Sequence, residues 1–349
     1  MNLVSEKVLI TGGSGYLGQK VLIKFLELGY ECSVLDINKP ESNFDSKINY
    51  FQVDIRDKTK VIDSCKGINI IVHCVAQVPL AKNKHLFKSV NYFGTQNILE
   101  ASLINNVSHL IYISSSAVYG VPEINPVFEY SPTIPCEEYG KAKLDGEKLV
   151  HEYQRKGVNT SIIRPRTILG PGRLGIFQIL FEWIYQGRNI PVFDGGKNIY
   201  QFIHSDDLVN AIVLCCRKKA FDVFNVGAED YCSMYETLNS VIKHSKSKSK
   251  IRSLNSNLVI PFMNFFSFTG LSPLGAYHAK MYGKSLFFDT SKSIKKLNWK
   301  SKFSNIRMMK ENYDWYILNR KDIFESTDRK SHHSSLVRQK ILKLVGKLI

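Results

Sequence analysis

The segment VLITGGSGYLG near the start of this 349-residue chain constrains the fold more than any other stretch. Its glycines lie between an apolar, strand-like run and a segment with helical periodicity. A tight turn that approaches a ligand closely excludes a Cβ, and the N-terminus of the following helix offers N–H groups and positive dipole to phosphate. The strand before and the helix after therefore predict a dinucleotide-binding turn. We expect its cofactor contacts at Gly12, Gly15, Tyr16, Leu17 and Gly18.

Strand-like runs and helical segments alternate across the first two-thirds of the chain. The predicted strands are residues 7–11, 31–36, 50–53, 69–75, 109–114 and 159–164. Helical segments lie between them, at 16–28, 88–104 and 139–155 among others. Strands that alternate with helices favour a parallel sheet with right-handed crossovers. The sequence thus predicts an α/β fold with a doubly wound parallel sheet.

After Pro165 the alternation breaks down, which divides the chain into three regions. Residues 1–164 are expected to form the cofactor-binding domain. Residues 165–320 are expected to form a smaller substrate lobe, with pieces around 204–216 and 223–226 returning to the first domain. Residues 321–349 form a basic tail.

Composition excludes several classes of protein. The hydrophobic content of 44% and charged content of 22% are ordinary for a soluble protein. No apolar run approaches the ~20 residues that span a bilayer, and the first residues enter a strand-like segment almost at once, so we expect no signal peptide. The seven cysteines form no CxxC pair and no zinc-like spacing, which indicates a reducing compartment and no metal site. We expect a cytoplasmic enzyme.

The net charge of +16 is concentrated late in the chain, at 243–252 and after residue 319. A basic surface suits nucleic acid, anionic lipid or an acidic substrate such as a nucleotide, and it also fits a solvated surface without a partner. No nucleic-acid-binding motif accompanies the charge, so we expect no nucleic-acid partner. In the tail, apolar side chains of 337–348 share one helical face. Such a helix can lie on the inner face of an anionic membrane, dock on its own protein, or form a homodimer contact.

Acidic residues follow two of the predicted strands. Asp36 ends the strand ECSVLD, where an acidic side chain accepts hydrogen bonds from an adenosine ribose, and this favours NAD over NADP. Asp54 and Ile55 follow the third strand and are candidates for the adenine edge. An acid at a strand end is also common as a cap or turn residue, and that alternative stays open for both aspartates.

The sequence YGKAK places Tyr139 and Lys143 four residues apart on a predicted helix, so their side chains share one face. A free tyrosine has a pKa near ~10, which leaves roughly one in a thousand ionised at neutral pH. A nearby ammonium and the positive charge of a nicotinamide would lower that pKa by ~1–3 units. The pair therefore predicts a tyrosine general base acting on a secondary alcohol.

Several motifs occur in the order typical of one enzyme family: TGGSGYLG, the acidic strand end, VNYFGTQNILEA, SSSAVYG, YGKAK, IIRP and HSDDL. Over residues 5–318 the chain resembles extended short-chain dehydrogenases/reductases of the NAD-dependent epimerase/dehydratase family. The resemblance implies a Rossmann domain that binds NAD(P), followed by a substrate lobe. It assigns catalysis to Tyr139 and Lys143, gives Lys143 a contact to the nicotinamide ribose, and makes Asn91 a structural asparagine near the cofactor.

The resemblance also selects among the three serines of ISSSAVYG. In this family the catalytic hydroxyl lies four residues before the tyrosine of the VYG corner, which is Ser115 here. Ser114 then belongs to the strand, and Ser116 is a neighbour that contacts substrate. The dehydratase branch carries an Asp-Glu pair after that hydroxyl, whereas this chain has Ser116-Ala117. A 4,6-dehydratase is therefore disfavoured.

Two substrate classes stay open at this stage. The chain resembles UDP-galactose 4-epimerase, which acts on a nucleotide sugar, and also 3β-hydroxysteroid dehydrogenases, which oxidise an alcohol on a lipid. Thr167 and Tyr200 stand where sugar-nucleotide members commonly carry an asparagine and an arginine, so Arg164, Arg166 or Arg173 would have to bind a diphosphate. The apolar segment 258–277 favours a lipid, whereas the spelling of the motifs favours a sugar. The third alternative is a non-catalytic, cofactor-binding member of the family.

Overall fold

The computed structural model describes residues 6–39, 48–77, 86–259, 281 and 283–325. The predicted amphipathic helix at 337–348 and most of the apolar segment 258–277 lie outside these residues. Among the described helices none is long and apolar enough to cross a membrane.

A parallel sheet forms the centre of the molecule, as the alternation of strands and helices predicts. Its strands are β1 (Lys7–Thr11), β2 (Glu31–Asp36), β3 (Asn49–Gln52), β4 (Ile70–His73), β5 (His109–Ile113), β6 (Thr160–Pro165) and β10 (Val223–Val226). Within the described residues these seven strands are ordered β10-β6-β5-β4-β1-β2-β3, and every pairing is parallel. The order reverses between β1 and β4, so a crevice opens at their carboxyl ends. The predicted doubly wound Rossmann fold is confirmed.

Helices cover both faces of this sheet. On one face lie α1 (Tyr16–Glu27) and α6 (Ser205–Arg217), and the other is covered by α2 (Lys58–Ser64), α3 (Gly94–Ile104) and α4 (Glu138–Arg155). Each face has its own apolar core, with Leu22 and Phe25 of α1 fully buried on the first and Ile98 and Leu99 of α3 on the second. Because both faces are covered, the strands are buried almost throughout, as in other parallel sheets.

The region after β6 adds further elements, most of them around a third apolar core. They are β7 (Thr167–Leu169), α5 (Ile176–Tyr185), β8 (Ile190–Phe193), β9 (Phe202–His204), α7 (Met234–His244), β11 (Ile251–Leu254), α8 (Ser291–Leu297), α9 (Asn305–Leu318) and α10 (Arg320–Glu325). Two small parallel pairs, β7 with β9 and β8 with β11, stand apart from the main sheet. The segment around β10, in contrast, extends the main sheet next to β6. The division at residues 164 and 320 stays a prediction.

The structure differs from the sequence-based elements by more than one residue in two places. The helix predicted at 88–104 begins with a π-helical segment, Phe87–Phe93, before α3. The strand predicted at 69–75 ends at His73, because the chain leaves the sheet to pass over the glycine turn. A Cβ built on Gly12 would lie only 3.0 Å from the backbone nitrogen of Val75.

Candidate active site

The glycine turn joins β1 to α1 at the crevice. Gly12 has a positive φ of 71°, and its N–H donates to the carbonyl of Leu35 at 2.8 Å. A Cβ on Gly18 would overlap the carbonyl oxygen of Gly12, so the first turn of α1 packs directly on the loop. Gly15 caps α1 without a side-chain hydrogen bond, which leaves the first N–H groups of the helix for a ligand. The cradle therefore fits the pyrophosphate of a dinucleotide.

Replacing Gly18 by alanine tests this cradle. The new methyl group would push α1 away from Gly12, so we expect dinucleotide affinity to fall by at least ~10-fold, about the effect of one charge-assisted hydrogen bond. Titration calorimetry with NAD measures the change. Gly29→Ala is the matched control, since Gly29 ends the same helix at a φ of 82° with no atom near its missing Cβ. That control should lose about 1–2 kcal/mol of stability and keep its affinity. Equal affinities in the two variants would contradict the fit.

Asp36 connects the end of β2 to the glycine turn. Its Oδ2 accepts from the backbone N–H of Ser14 at 3.1 Å, and its Oδ1 from that of Asn38 at 3.0 Å. Burial raises the pKa of Asp36, and these backbone donors oppose the rise. The carboxylate lies beside the cradle, as its sequence position predicts.

Asp54 and Ile55, the two residues predicted to contact the adenine, have partners within the protein. The Asp54 carboxylate is bound by the Arg56 guanidinium, with Nη2 and Oδ2 2.5 Å apart, and this hydrogen bond lowers the pKa of Asp54. Ile55 is buried, and its side chain lies against Gly94 at the start of α3. The structure places both residues at the sheet edge next to Asp36, because the N–H of Val53 donates to the carbonyl of Asp36. Their roles stay predictions.

Tyr139 lies in the first turn of α4, close to Ser115 at the end of β5. Glu137 caps α4 by accepting from the N–H groups of Tyr139 and Gly140 at 2.9 and 2.8 Å. Burial raises the pKa of Tyr139 to about 12, and the nearby Ser115 hydroxyl opposes the rise. In the protein alone desolvation therefore outweighs the neighbouring charges, and the lowering of this pKa by the ammonium together with a bound nicotinamide stays a prediction.

Lys143 lies one helical turn further and is 3% exposed. Its Nζ donates to the carbonyl of Ile113 at 2.7 Å and lies 5.0 Å from the ring centroid of Tyr112. Burial lowers the pKa of Lys143 to about 8, against opposing effects of Cys74 and Glu147. The ammonium is thus held under the carboxyl end of β5, within the face of α4 that carries Tyr139.

Asn91 fixes the chain that leaves β4. Its Oδ1 accepts from the N–H of Gln77 at 2.7 Å, and its Nδ2 donates to the carbonyl of the same residue at 3.1 Å. The side chain is 1% exposed. This geometry fits the structural role that the family resemblance implies.

The predicted substrate residues separate into different environments. Ser116 is buried, and its hydroxyl accepts from Nη1 of Arg166 at 2.9 Å. The Arg166 guanidinium also lies 4.6 Å from the ring centroid of Tyr200, whose hydroxyl is 3.0 Å from that of Thr167. Ser116 therefore belongs to a largely buried cluster with Arg166, Tyr200 and Thr167. The sequence did not predict that these four side chains contact one another.

Arg164, which the sequence predicts to bind substrate, has its guanidinium engaged by groups of the protein itself. Its Nε and Nη2 donate to the two carboxylate oxygens of Glu147 at 2.9 and 2.6 Å. Its Nη1 donates to the hydroxyl of Tyr119 at 2.6 Å and to the carbonyl of Glu129 at 2.9 Å. The side chains of this ion pair are 6% and 2% exposed. Arg164 is a structural residue because its donors are engaged inside the protein.

Glu147 is the residue that sequence reasoning missed. Its Oε1 also accepts from the hydroxyl of Ser114 at 2.5 Å, so one buried carboxylate joins α4, β6 and the serine run. The signal was present, since Glu147 follows Lys143 by four residues on the same helix and must share its face.

Comparisons with known proteins identify the family. Residues 8–227 match the model of the NAD dependent epimerase/dehydratase family. The chain is 42% identical over 343 residues to the uncharacterized protein y4nG of Sinorhizobium fredii, which covers 98% of this chain and 86% of that protein. It is 28% identical over 252 residues to a putative UDP-glucose 4-epimerase of Methanocaldococcus jannaschii, covering 68% and 81% of the two chains.

A sterol enzyme and a solved structure are also similar. Identity to the human sterol-4-alpha-carboxylate 3-dehydrogenase, decarboxylating, is 30% over 224 residues, 62% of this chain and 59% of that protein. The crystal structure of UDP-glucuronic acid 4-epimerase from Bacillus cereus in complex with NAD superposes with a TM-score of 0.73 at 22% identity, covering 89% of this chain and 99% of the other. That likeness establishes the fold.

Proposed function

Given that the chain belongs to the NAD-dependent epimerase/dehydratase family, we propose that it binds NAD and oxidises a secondary alcohol of a nucleotide sugar, with return of the hydride in an epimerase. The observation that carries the proposal is the convergence of three side chains, Ser115, Tyr139 and Lys143, at the carboxyl end of β5. This group lies near the glycine cradle at the switch point of the sheet, where open α/β folds bind their ligands.

Each side chain has a role that its contacts support. Tyr139 would take the proton of the carbinol hydroxyl, and Ser115 would hold that oxygen from the other side. Lys143 would contribute positive charge and bind the nicotinamide ribose. Bound NAD would supply the hydride acceptor and a further positive charge beside the phenol. In the protein alone the pKa of Tyr139 is about 12 and that of Lys143 is about 8. A Tyr139 phenolate would therefore form beside the Lys143 ammonium only once additional positive charge lowers the pKa of Tyr139.

The sugar assignment is supported by the relatives and by the residues after Ser115. The alignment with the putative UDP-glucose 4-epimerase covers 68% of the chain, and the motif spelling is similar to that branch. Ser116 and Ala117 offer no acid or base for an elimination, so transfer of hydride and proton alone is the chemistry that fits. Asp36 supports NAD rather than NADP, because its carboxylate would repel a 2′-phosphate on the ribose.

A sterol or lipid-linked alcohol is the second candidate, and one observation favours it. Thr167 and Tyr200, which replace the usual asparagine and arginine of sugar-nucleotide enzymes, lie hydroxyl to hydroxyl at 3.0 Å and present no charge to a substrate diphosphate. The human relative of 30% identity is named as a dehydrogenase of a sterol carboxylate. The homodimer and the contact of the tail helix with a membrane stay predictions from the sequence.

A turnover screen with NAD tests the proposal. UDP- and dTDP-sugars would be assayed beside hydroxysterols and polyprenyl-linked sugars, with the absorbance of reduced nicotinamide and product analysis recorded together. We expect an epimerised or oxidised sugar, with little net NADH in the epimerase case because the hydride returns. Net NADH with a hydroxysterol would replace the sugar assignment by the second candidate. A protein that binds NAD but turns over neither class would support the non-catalytic alternative.

A further inference from the structure

The loop GPGRLG, residues 170–175, lies against the first turn of α1. A Cβ on Gly170 would be 3.0 Å from Oη of Tyr16, and one on Gly172 would be 3.3 Å from Cε2 of the same ring. The guanidinium carbon of Arg173 lies 5.7 Å from the centroid of that ring. The loop therefore brings a cation over the helix turn that begins the glycine cradle.

Hydrogen bonds fix the Arg173 backbone, while its charge has no acidic partner within the part of the chain that the structure describes. Its N–H donates to the carbonyl of Gly170 at 3.0 Å, and its carbonyl accepts from Nδ2 of Asn312 at 3.4 Å. Among the described residues its guanidinium makes neither an ion pair nor a hydrogen bond. Burial lowers the pKa of Arg173 to about 10. A half-buried guanidinium without a partner is costly, and an anion in the crevice would remove that cost.

The cradle itself lacks positive side chains. Residues 12–19 include no lysine or arginine, and the next cation, Lys20, is paired with Asp206 at 3.0 Å. The N-terminus of α1 contributes only about half a charge, whereas a pyrophosphate carries about two negative charges. Asp36, beside the turn, adds a negative charge. A cation from elsewhere in the chain would offset the negative charge of a pyrophosphate bound at this turn.

We propose that Arg173 supplies this cation by binding the pyrophosphate of NAD, so that it is a cofactor residue and not the substrate residue that the sequence suggested. The inference rests on the proposed function for the identity of the cofactor. A guanidinium can bind two phosphate oxygens with charge-assisted hydrogen bonds. The same chemistry would suit the diphosphate of a nucleotide sugar, but the contact with Tyr16 favours the cofactor.

The test compares ligands that differ in their phosphates. Arg173→Met would be titrated with NAD, ADP-ribose and adenosine, and, after saturation with NAD, with UDP. We expect a loss of about 10- to 100-fold in affinity for NAD and ADP-ribose, an unchanged affinity for adenosine, and a weaker dependence of NAD binding on salt. Arg173→Lys should recover part of the loss, since it keeps the charge but not the two-point contact.

Lys20→Met is the matched control, because its Nζ also lies over the Tyr16 ring, at 5.9 Å, but its charge is already paired. It should bind NAD as the unmodified protein does. Unchanged affinity of Arg173→Met for NAD and ADP-ribose would overturn the inference, as would a loss confined to UDP. If the unmodified protein binds neither NAD nor ADP-ribose, the proposed function itself fails, and the two failures are thus distinguishable.

Discussion

Replacing Tyr139 by phenylalanine is expected to lower turnover by about 10²- to 10⁴-fold, the usual contribution of a general acid–base group. The substitution removes only the hydroxyl, so the ring keeps its edge contact with Phe87 at 6.5 Å. Because the backbone of Tyr139 and not its phenol bonds to Glu137, the cap of α4 should stay intact. We therefore expect NAD affinity and thermal stability to change little.

The measurement is kcat with the substrate identified in the screen, alongside NAD titration and a thermal melt. Tyr130→Phe provides the control, since Tyr130 is 82% exposed and outside the site; it should retain full turnover. A Tyr139→Phe protein with the turnover of the control would show that another group takes the proton.

The second large effect is expected on stability, from the buried pair of Glu147 and Arg164. Glu147→Leu leaves the Arg164 guanidinium buried without its carboxylate and the Ser114 hydroxyl without its acceptor. Removing one partner of a buried ion pair typically costs about 3–5 kcal/mol. Urea unfolding would measure this as a fall in the free energy of unfolding.

Two controls test whether the loss of stability comes from the broken ion pair of Glu147 and Arg164. The double variant Glu147→Leu/Arg164→Met removes both charges and should recover much of the loss, because no uncompensated ion remains. Glu152→Ala breaks an exposed pair between the same helix and Lys156 at its C-cap and should change the stability little, because exposed ion pairs are screened by water. If Glu147→Leu costs no more than Glu152→Ala, or if the double variant is as unstable as the single one, the pair does not stabilise the fold as described.

The fold and the shared helix face of Tyr139 and Lys143 could be predicted because their signals are local. Gly18 is required by the packing of one helix on the turn just before it, and Tyr139 and Lys143 share a face through helical periodicity alone. The strand that ends at His73 was predicted two residues too long, since its end depends on the approach of Val75 to Gly12, more than sixty residues away in sequence.

Side-chain partners across elements could not be predicted in the same way. In the sequence IIRP, Arg164 could be predicted as a cation available to a ligand. In the structure β6 places it against α4, where its guanidinium donates to the Glu147 carboxylate. The position of Arg173 over Tyr16 could not be predicted either, because it depends on a loop that follows β7 and folds back onto α1. The burial of Tyr139, which opposes the phenolate, could not be predicted either, because burial cannot be inferred from the spacing of two residues.

Hydride transfer at this site is tested most directly by the fate of deuterium placed on C4 of a UDP-hexose during turnover with NAD. We expect that the 4-epimer retains deuterium at C4, that the label slows the reaction, and that Tyr139→Phe forms almost none of the product. An epimer that has lost its deuterium and carries solvent hydrogen at C4 would contradict hydride transfer at this site.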